Sequence, residues 1–345
     1  MIYLLIGFLF IVFSFQEVNK NNPKSSLHTL VFSCVVMWLL AGLRSGTGTD
    51  WYNYYNIYIE KPDGLEIGYT FLNNLFSDLN IHYNLFLLII NGFAILLMYK
   101  FIKRNAYIGI IGLLIFFSDS FLYFNLSGVR QAIAISIVCF GFKYVLSKEY
   151  VKFILIIVLA CSFHLSSFIF VFVCFIPRYK LSLKFIVIVL VTAVLFNILL
   201  QSISDFITLF TLKNSEFYIN QQVYEFNIVT AYYIGAIKRS VIIFLCLIYG
   251  EKMFKNSNSR YLFNIYLLGF VIYLVLYKIS PDIGTRLSVY FTIFEIILAG
   301  NLIYFNNKIS VKLFLFFIFV SMACYKLFGY MNNDRYEYYL IFNLF

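Results

Sequence analysis

Arg130 and Gln131 open one apolar run, and His164 sits deep inside the next. Polar side chains at hydrocarbon depth are costly unless paired or wet, so each is a functional candidate by default. Ser127 precedes Arg130, and the stretch Pro281 to Thr285 precedes Arg286, so each arginine is expected at a helix start. A helix N-terminus already carries partial positive charge, which makes an arginine there unfavourable without an anion. Two arginines with two sets of free backbone N–H groups suit a phosphate or diphosphate. The ordinary structural alternative pairs Arg130 with Asp119 or Asp50, and Arg286 with Asp282; both explanations stand. Lys238 and Arg239, about two turns into the helix that follows Ile228, would extend the same anion site. Arg44 lies at the C-terminal end of its helix, where a cation is favourable on structural grounds alone.

His164 is the leading candidate for a general base, because an unperturbed imidazole titrates near neutral pH. Ser162, Ser166 and Ser167 surround it. Asp50 is the alternative base. It stands in GTGTDWYNYYNIY, where glycines suit tight turns and Trp51, Tyr52, Tyr54, Tyr55 and Tyr58 suit an interfacial belt or stacking on sugar rings. No DxD, HExxH, Walker A or nucleophile-elbow pattern occurs, so neither a metal site nor a cofactor is expected. Cys34, Cys139, Cys161, Cys174, Cys246 and Cys324 all lie in apolar runs without a CxxC pair, and read as small buried hydrophobes.

These residues need a membrane scaffold to position them. Of the 345 residues, 62% are hydrophobic and 12% charged, against about 25% charged in soluble domains. Apolar segments fall at about 1–15, 27–43, 82–101, 107–124, 131–147, 151–177, 184–200, 229–249, 261–279, 287–304 and 311–328. The expected fold is an all-α polytopic integral membrane protein with about 11–12 transmembrane segments in a single domain, 1–345. The net charge of +10 is spread over short basic loops, which meet lipid headgroups and do not form a nucleic-acid patch.

Loop charge sets orientation. Lys20 and Lys24 place the first loop in the cytoplasm, and the acidic 44–81 loop then lies outside, with Gly64–Asn80 as a short interfacial helix. Lys100, Lys103 and Arg104 are inside, the Asn125–Arg130 turn outside, and Lys143, Lys148 and Lys152 inside. If 151–177 crossed once, Arg178, Lys180 and Lys184 would land outside and every later loop would break the rule. The expectation is therefore a broken or hairpin segment with its apex at Ser162–Ser166 on the outer side. Irregular backbone at that depth is tolerated only where protein or a wet cavity surrounds it. The 201–228 loop and the C-terminal tail would share the outer face.

The chain resembles the EpsG family of Wzy-type polysaccharide polymerases. The resemblance rests on LRSGTGTDWYNYY, SGVRQAIAISIVCFGFKYVLSKEYVKF, LACSFHLSSFIF and TRLSVYF, in that order. It implies a membrane glycosyltransferase with a fold like the multi-helical (GT-C-like) enzymes, and the missing metal motifs make metal independence the expectation. It would join undecaprenyl-diphosphate-linked repeat units on the outer face of the bacterial cytoplasmic membrane. Arg44, Asp50, Arg130, Gln131, His164 and Arg286 are the positions that carry over. The implied partners are lipid-linked donor and acceptor, membrane lipids and a chain-length regulator. A flippase for the same lipid is the competing class, but it would show repeated halves and polar residues along a whole crossing path. A polysaccharide ligase would share the outer-face logic and differ in its acceptor.

Overall fold

A computed structural model describes residues 1–19, 26–210 and 228–340, with backbone alone over 201–210. Lys20, Lys24 and most of the 201–228 loop therefore lie outside the described residues. The helices are α1 (Ile2–Val18), α2 (Leu27–Gly42), α3 (Trp51–Glu60), α4 (Ile67–Asp78) and α5 (Tyr83–Asn105). Next come α6 (Gly109–Ile115), running on as a π-helix over Phe116–Asn125, then α7 (Val129–Leu146) and α8 (Tyr150–Cys161). A 3-10 helix (Leu165–Phe175) and α9 (Leu183–Phe210) follow. The rest are α10 (Ile228–Tyr249), α11 (Ser257–Leu276), α12 (Pro281–Thr292), α13 (Glu295–Phe305) and α14 (Ile309–Met331). The described strands are β1 (Arg44–Ser45) and β2 (Tyr339–Leu340), paired antiparallel.

Among the described residues, 7 helices are long and apolar enough to cross a bilayer, and shorter apolar helices accompany them. Each apolar run in the sequence carries one or more of these, so the chain is an all-α polytopic membrane protein. Contacts divide it into two compact units, Met1–Cys174 with Glu295–Phe345, and Phe175–Phe294.

The expected break in 151–177 is present. Helix α8 stops at Cys161, and the Ser167 N–H donates to the His164 carbonyl (3.1 Å) to start the 3-10 helix. Phe153 and Phe170 are both fully buried, with ring centroids 6.1 Å apart. A straight helix would hold them about 25 Å apart, so the chain turns back on itself near His164. The 12-residue α8 reaches about 18 Å, short of a hydrocarbon core of about 30 Å.

One end of the first unit gathers four chain segments. The Gly48 N–H donates to the Arg335 carbonyl (2.8 Å), and the Thr49 N–H to Ser127 Oγ (3.0 Å). Ser127 Oγ also meets the Tyr336 hydroxyl at 3.1 Å. The Gly68 N–H donates to the Ser162 carbonyl at 2.7 Å, which fastens the hairpin apex to α4. The 44–81 loop, the 125–130 turn, the apex and the C-terminal tail thus share one face, as loop charge predicts. At the opposite end Glu17 accepts from the Ser26 N–H (2.7 Å) and Thr29 Oγ1 (3.1 Å), and Asn301 bonds to Tyr107 and Asn105. The basic 100–104 and 143–152 segments lie at that end.

Candidate active site

Arg130 is the second residue of α7 and stands half-buried at the shared face. Its guanidinium pairs with Glu66 through Nη1, and its Nε donates to the Tyr54 hydroxyl (3.3 Å). The rings of Tyr54 and Tyr69 flank it, with centroids 5.8 and 6.0 Å from Cζ. The pairing corrects the sequence expectation: neither Asp119 nor Asp50 forms the ion pair. Asp119 instead pairs with Lys326 at 3.3 Å. Glu66 reaches Arg130 from the N-cap position of α4, where its side chain makes no capping bond and the first turn docks on the hairpin apex.

Asp50 stands at the N-cap position of α3, with no side-chain capping bond, and is half-buried. Burial pushes the Tyr54 hydroxyl up, Arg130 pulls it down and Asp50 pushes it up again. Arg130 and Asp50 therefore act on the same hydroxyl. His164 is half-buried, with Nδ1 2.6 Å from Ser166 Oγ. Two residues earlier, Ser162 accepts from both Gly68 (2.7 Å) and Tyr69 (3.3 Å). The apex carrying His164 is thereby joined to the element that carries Glu66, and through Glu66 to Arg130.

Other predicted residues fall elsewhere. Arg44 is 1% exposed, donates to the Ala41 carbonyl, and has a buried Nε without a described acceptor. Burial pushes its guanidinium down, opposed by the hydroxyls of Tyr83, Tyr338, Tyr3 and Tyr69. It ties α2 to β1 and presents no surface to a ligand in this conformation. Gln131 is also buried. Trp51 is buried too, stacked on Tyr55 (5.2 Å, 10°) and edge-on to Tyr52 (5.0 Å) and Tyr83 (5.6 Å). Exposure is left to Tyr52 (68%) and Tyr55 (37%).

The second unit holds Lys238, Arg239 and Arg286. Arg286 lies 3.8 Å from Asp282, the structural pairing considered from sequence. It is not at a helix start, because Ser280 caps the Ile283 N–H (3.4 Å) and Pro281 takes the first helical position, which begins α12 earlier. Arg239 lies inside α10, with its guanidinium 3.9 Å from the Tyr273 ring centroid.

Glu66, Tyr54 and Tyr69 are the residues that sequence reasoning passed over. The signal available was an acidic cap at the start of the expected Gly64–Asn80 helix; its arginine partner lies 64 positions away. Among the described residues no group of three or more His, Cys, Asp or Glu side chains gathers as metal ligands.

No curated protein and no solved structure matches the chain. The EpsG family profile does match, over residues 27–343, nearly the whole chain and all of the site just described. The membrane-embedded helices, the shared polar face and this match agree: the chain belongs to the EpsG family, a Wzy-like polysaccharide polymerase family.

Proposed function

We propose that the protein polymerises undecaprenyl-diphosphate-linked oligosaccharide repeat units on the outer face of the bacterial cytoplasmic membrane, its two units acting as one membrane domain. The observation that carries this is the joining of Arg130, Glu66, Gly68 and the Ser162–His164 apex on one face. A cation for a leaving diphosphate and a base for an acceptor hydroxyl then come from neighbouring elements. That face also carries the acidic 44–81 loop, while the basic segments lie at the opposite end, which supports its outward orientation.

In the proposed reaction the acceptor oxygen bonds to the donor's anomeric carbon. The bond from that carbon to the diphosphate oxygen breaks, and the electron pair leaves with the diphosphate. Arg130 offsets the charge that develops there, the dominant contribution expected of a preorganised cation. His164 takes the acceptor proton; with Nδ1 held at Ser166, Nε2 is the assigned nitrogen. Asp50 is the alternative base, close enough to act on Tyr54. Tyr52 and Tyr55 are the exposed rings for sugar stacking. Arg286 and Lys238, both in the second unit, are further candidate diphosphate-binding residues there. The chemistry requires no metal.

Reconstitution with lipid-linked repeat units tests the reading. A ladder of products that persists with chelator is expected from the native chain. Arg130→Ala is expected to abolish the ladder, and His164→Gln to lower kcat with little change in KM. Normal chain length from Arg130→Ala would remove that arginine's role. Transport of the lipid without elongation would favour a flippase.

A further inference from the structure

Arg239 is unlike the other arginines assigned to diphosphate. It stands about halfway along the 22-residue α10, at the depth where an ionised side chain marks a ligand path or a buried partner. Arg130 has Glu66 and Arg286 has Asp282. Among the described residues Arg239 has no carboxylate. Its Nη1 donates to the Gly235 carbonyl (3.1 Å), and its Nε is buried without an acceptor among the described residues.

Four tyrosines and a second cation continue the arrangement. The Arg239 guanidinium lies over the Tyr273 ring at 3.9 Å, and Tyr273 is parallel to Tyr232 (5.9 Å, 5°) and close to Tyr277 (4.7 Å). Lys278 Nζ caps the far side, 4.6 Å from the Tyr232 centroid and 5.2 Å from Tyr233. Lys278 likewise has no carboxylate among the described residues. Gly235 makes the packing possible, since a Cβ there would sit 2.1 Å from the Tyr273 hydroxyl. A cation stacked on a ring keeps its N–H groups in its own plane, available to oxygen acceptors.

The outward side of α10 adds a second kind of surface. Tyr233, Ile237, Phe244 and Ile248 are each more than half exposed and recur at helical spacing. Lys278 lies beside Tyr233 of this apolar stripe, and Arg239 lies on the other face of α10 against Tyr273. Two cations with no carboxylate among the described residues suit a strongly anionic head, and the apolar stripe next to Lys278 suits a hydrocarbon tail.

We infer that the Arg239–Tyr273–Tyr232–Lys278 column of the second unit is a polyprenyl-diphosphate site distinct from Arg130, so that each of the two lipid-linked substrates has its own diphosphate anchor. The identity of the lipid rests on the polymerase reading above. Two anchors fit the chemistry, because donor and acceptor each bring a diphosphate and only the donor's departs.

The test is equilibrium binding of farnesyl diphosphate to the full-length protein in nanodiscs. The native chain is expected to take up two equivalents. Arg130→Gln should remove one of them, and Arg239→Gln or Lys278→Gln should weaken the other at least tenfold. Arg239→Lys, which keeps the charge, should retain most of the affinity and guards against a folding defect. Farnesol and inorganic diphosphate should each bind at least tenfold more weakly than farnesyl diphosphate. A single equivalent in the native chain, or two unchanged equivalents in both Arg239→Gln and Lys278→Gln, would overturn the second site. Inorganic diphosphate binding as tightly as the farnesyl compound would overturn its assignment to a lipid. Two normal equivalents in a chain that makes no polymer would leave this site standing and remove the polymerase reading.

Discussion

The Ser162 carbonyl at the hairpin apex accepts the Gly68 N–H at 2.7 Å, and no side chain fits between them. A Cβ on Gly68 would sit 2.4 Å from Ser162 Oγ and 2.8 Å from its carbonyl oxygen. Gly68→Ala must push α4 off the apex, at an overpacking cost of about 1–3 kcal/mol. Thermal unfolding in detergent should show a lowered midpoint, and the product ladder should shorten or vanish. Ser162→Gly in the same chain removes the closest atom and should restore part of both. A Gly68→Ala protein with native midpoint and native ladder would show that the apex is not held this way.

Glu66 occupies Arg130 where a diphosphate is proposed to bind. The pair is about one-fifth exposed on each side, so its strength lies between those of surface and buried pairs. Glu66→Gln keeps the shape and removes the competing charge. Severalfold tighter binding of farnesyl diphosphate is expected, with a slightly lower unfolding midpoint because α4 loses its ion pair. Unchanged or weaker binding in a folded variant would show that the ligand does not displace Glu66.

Sidedness can be read directly. In a background free of native cysteines, Ser166→Cys and Asn333→Cys should react with a membrane-impermeant maleimide from one side, and Lys148→Cys only from the other. Labelling of Ser166→Cys and Lys148→Cys from the same side would rule out the turn near His164.

Asp119 and Lys326 form an ion pair at 3.3 Å between the π-helix and α14. Replacing either partner alone, by Asn or Met, should cost about 1–3 kcal/mol in unfolding free energy. The double substitution should cost less than the two together, with a coupling of about 1 kcal/mol. Strict additivity in the double-mutant cycle would show that the pair contributes nothing to the fold.

The apolar runs told where the helices are because bilayer thickness imposes a length that composition reveals. The break near His164 was legible for a different reason: charge parity is a global constraint, and a single crossing violated it from Arg178 onward. Helix α3 escaped notice, since ten residues rich in Tyr and Asn read equally well as an aromatic loop. Trp51 looked like a sugar platform, but its burial follows from Tyr55 and Tyr83, the second of them far along the chain. Glu66 as the partner of Arg130 was also out of reach, because it depends on how α4 docks at the apex, a tertiary fact with no local trace.

The hairpin also constrains how the protein is made. Neither Tyr150–Cys161 nor Leu165–Phe175 is long enough to be accepted by a translocon as a membrane span. The two limbs must leave the ribosome, fold against each other through Phe153 and Phe170, and enter the lipid together. A nascent chain that failed to turn would carry Arg178, Lys180 and Lys184 across the bilayer. A chain that missed the turn at His164 would therefore invert every segment that follows it.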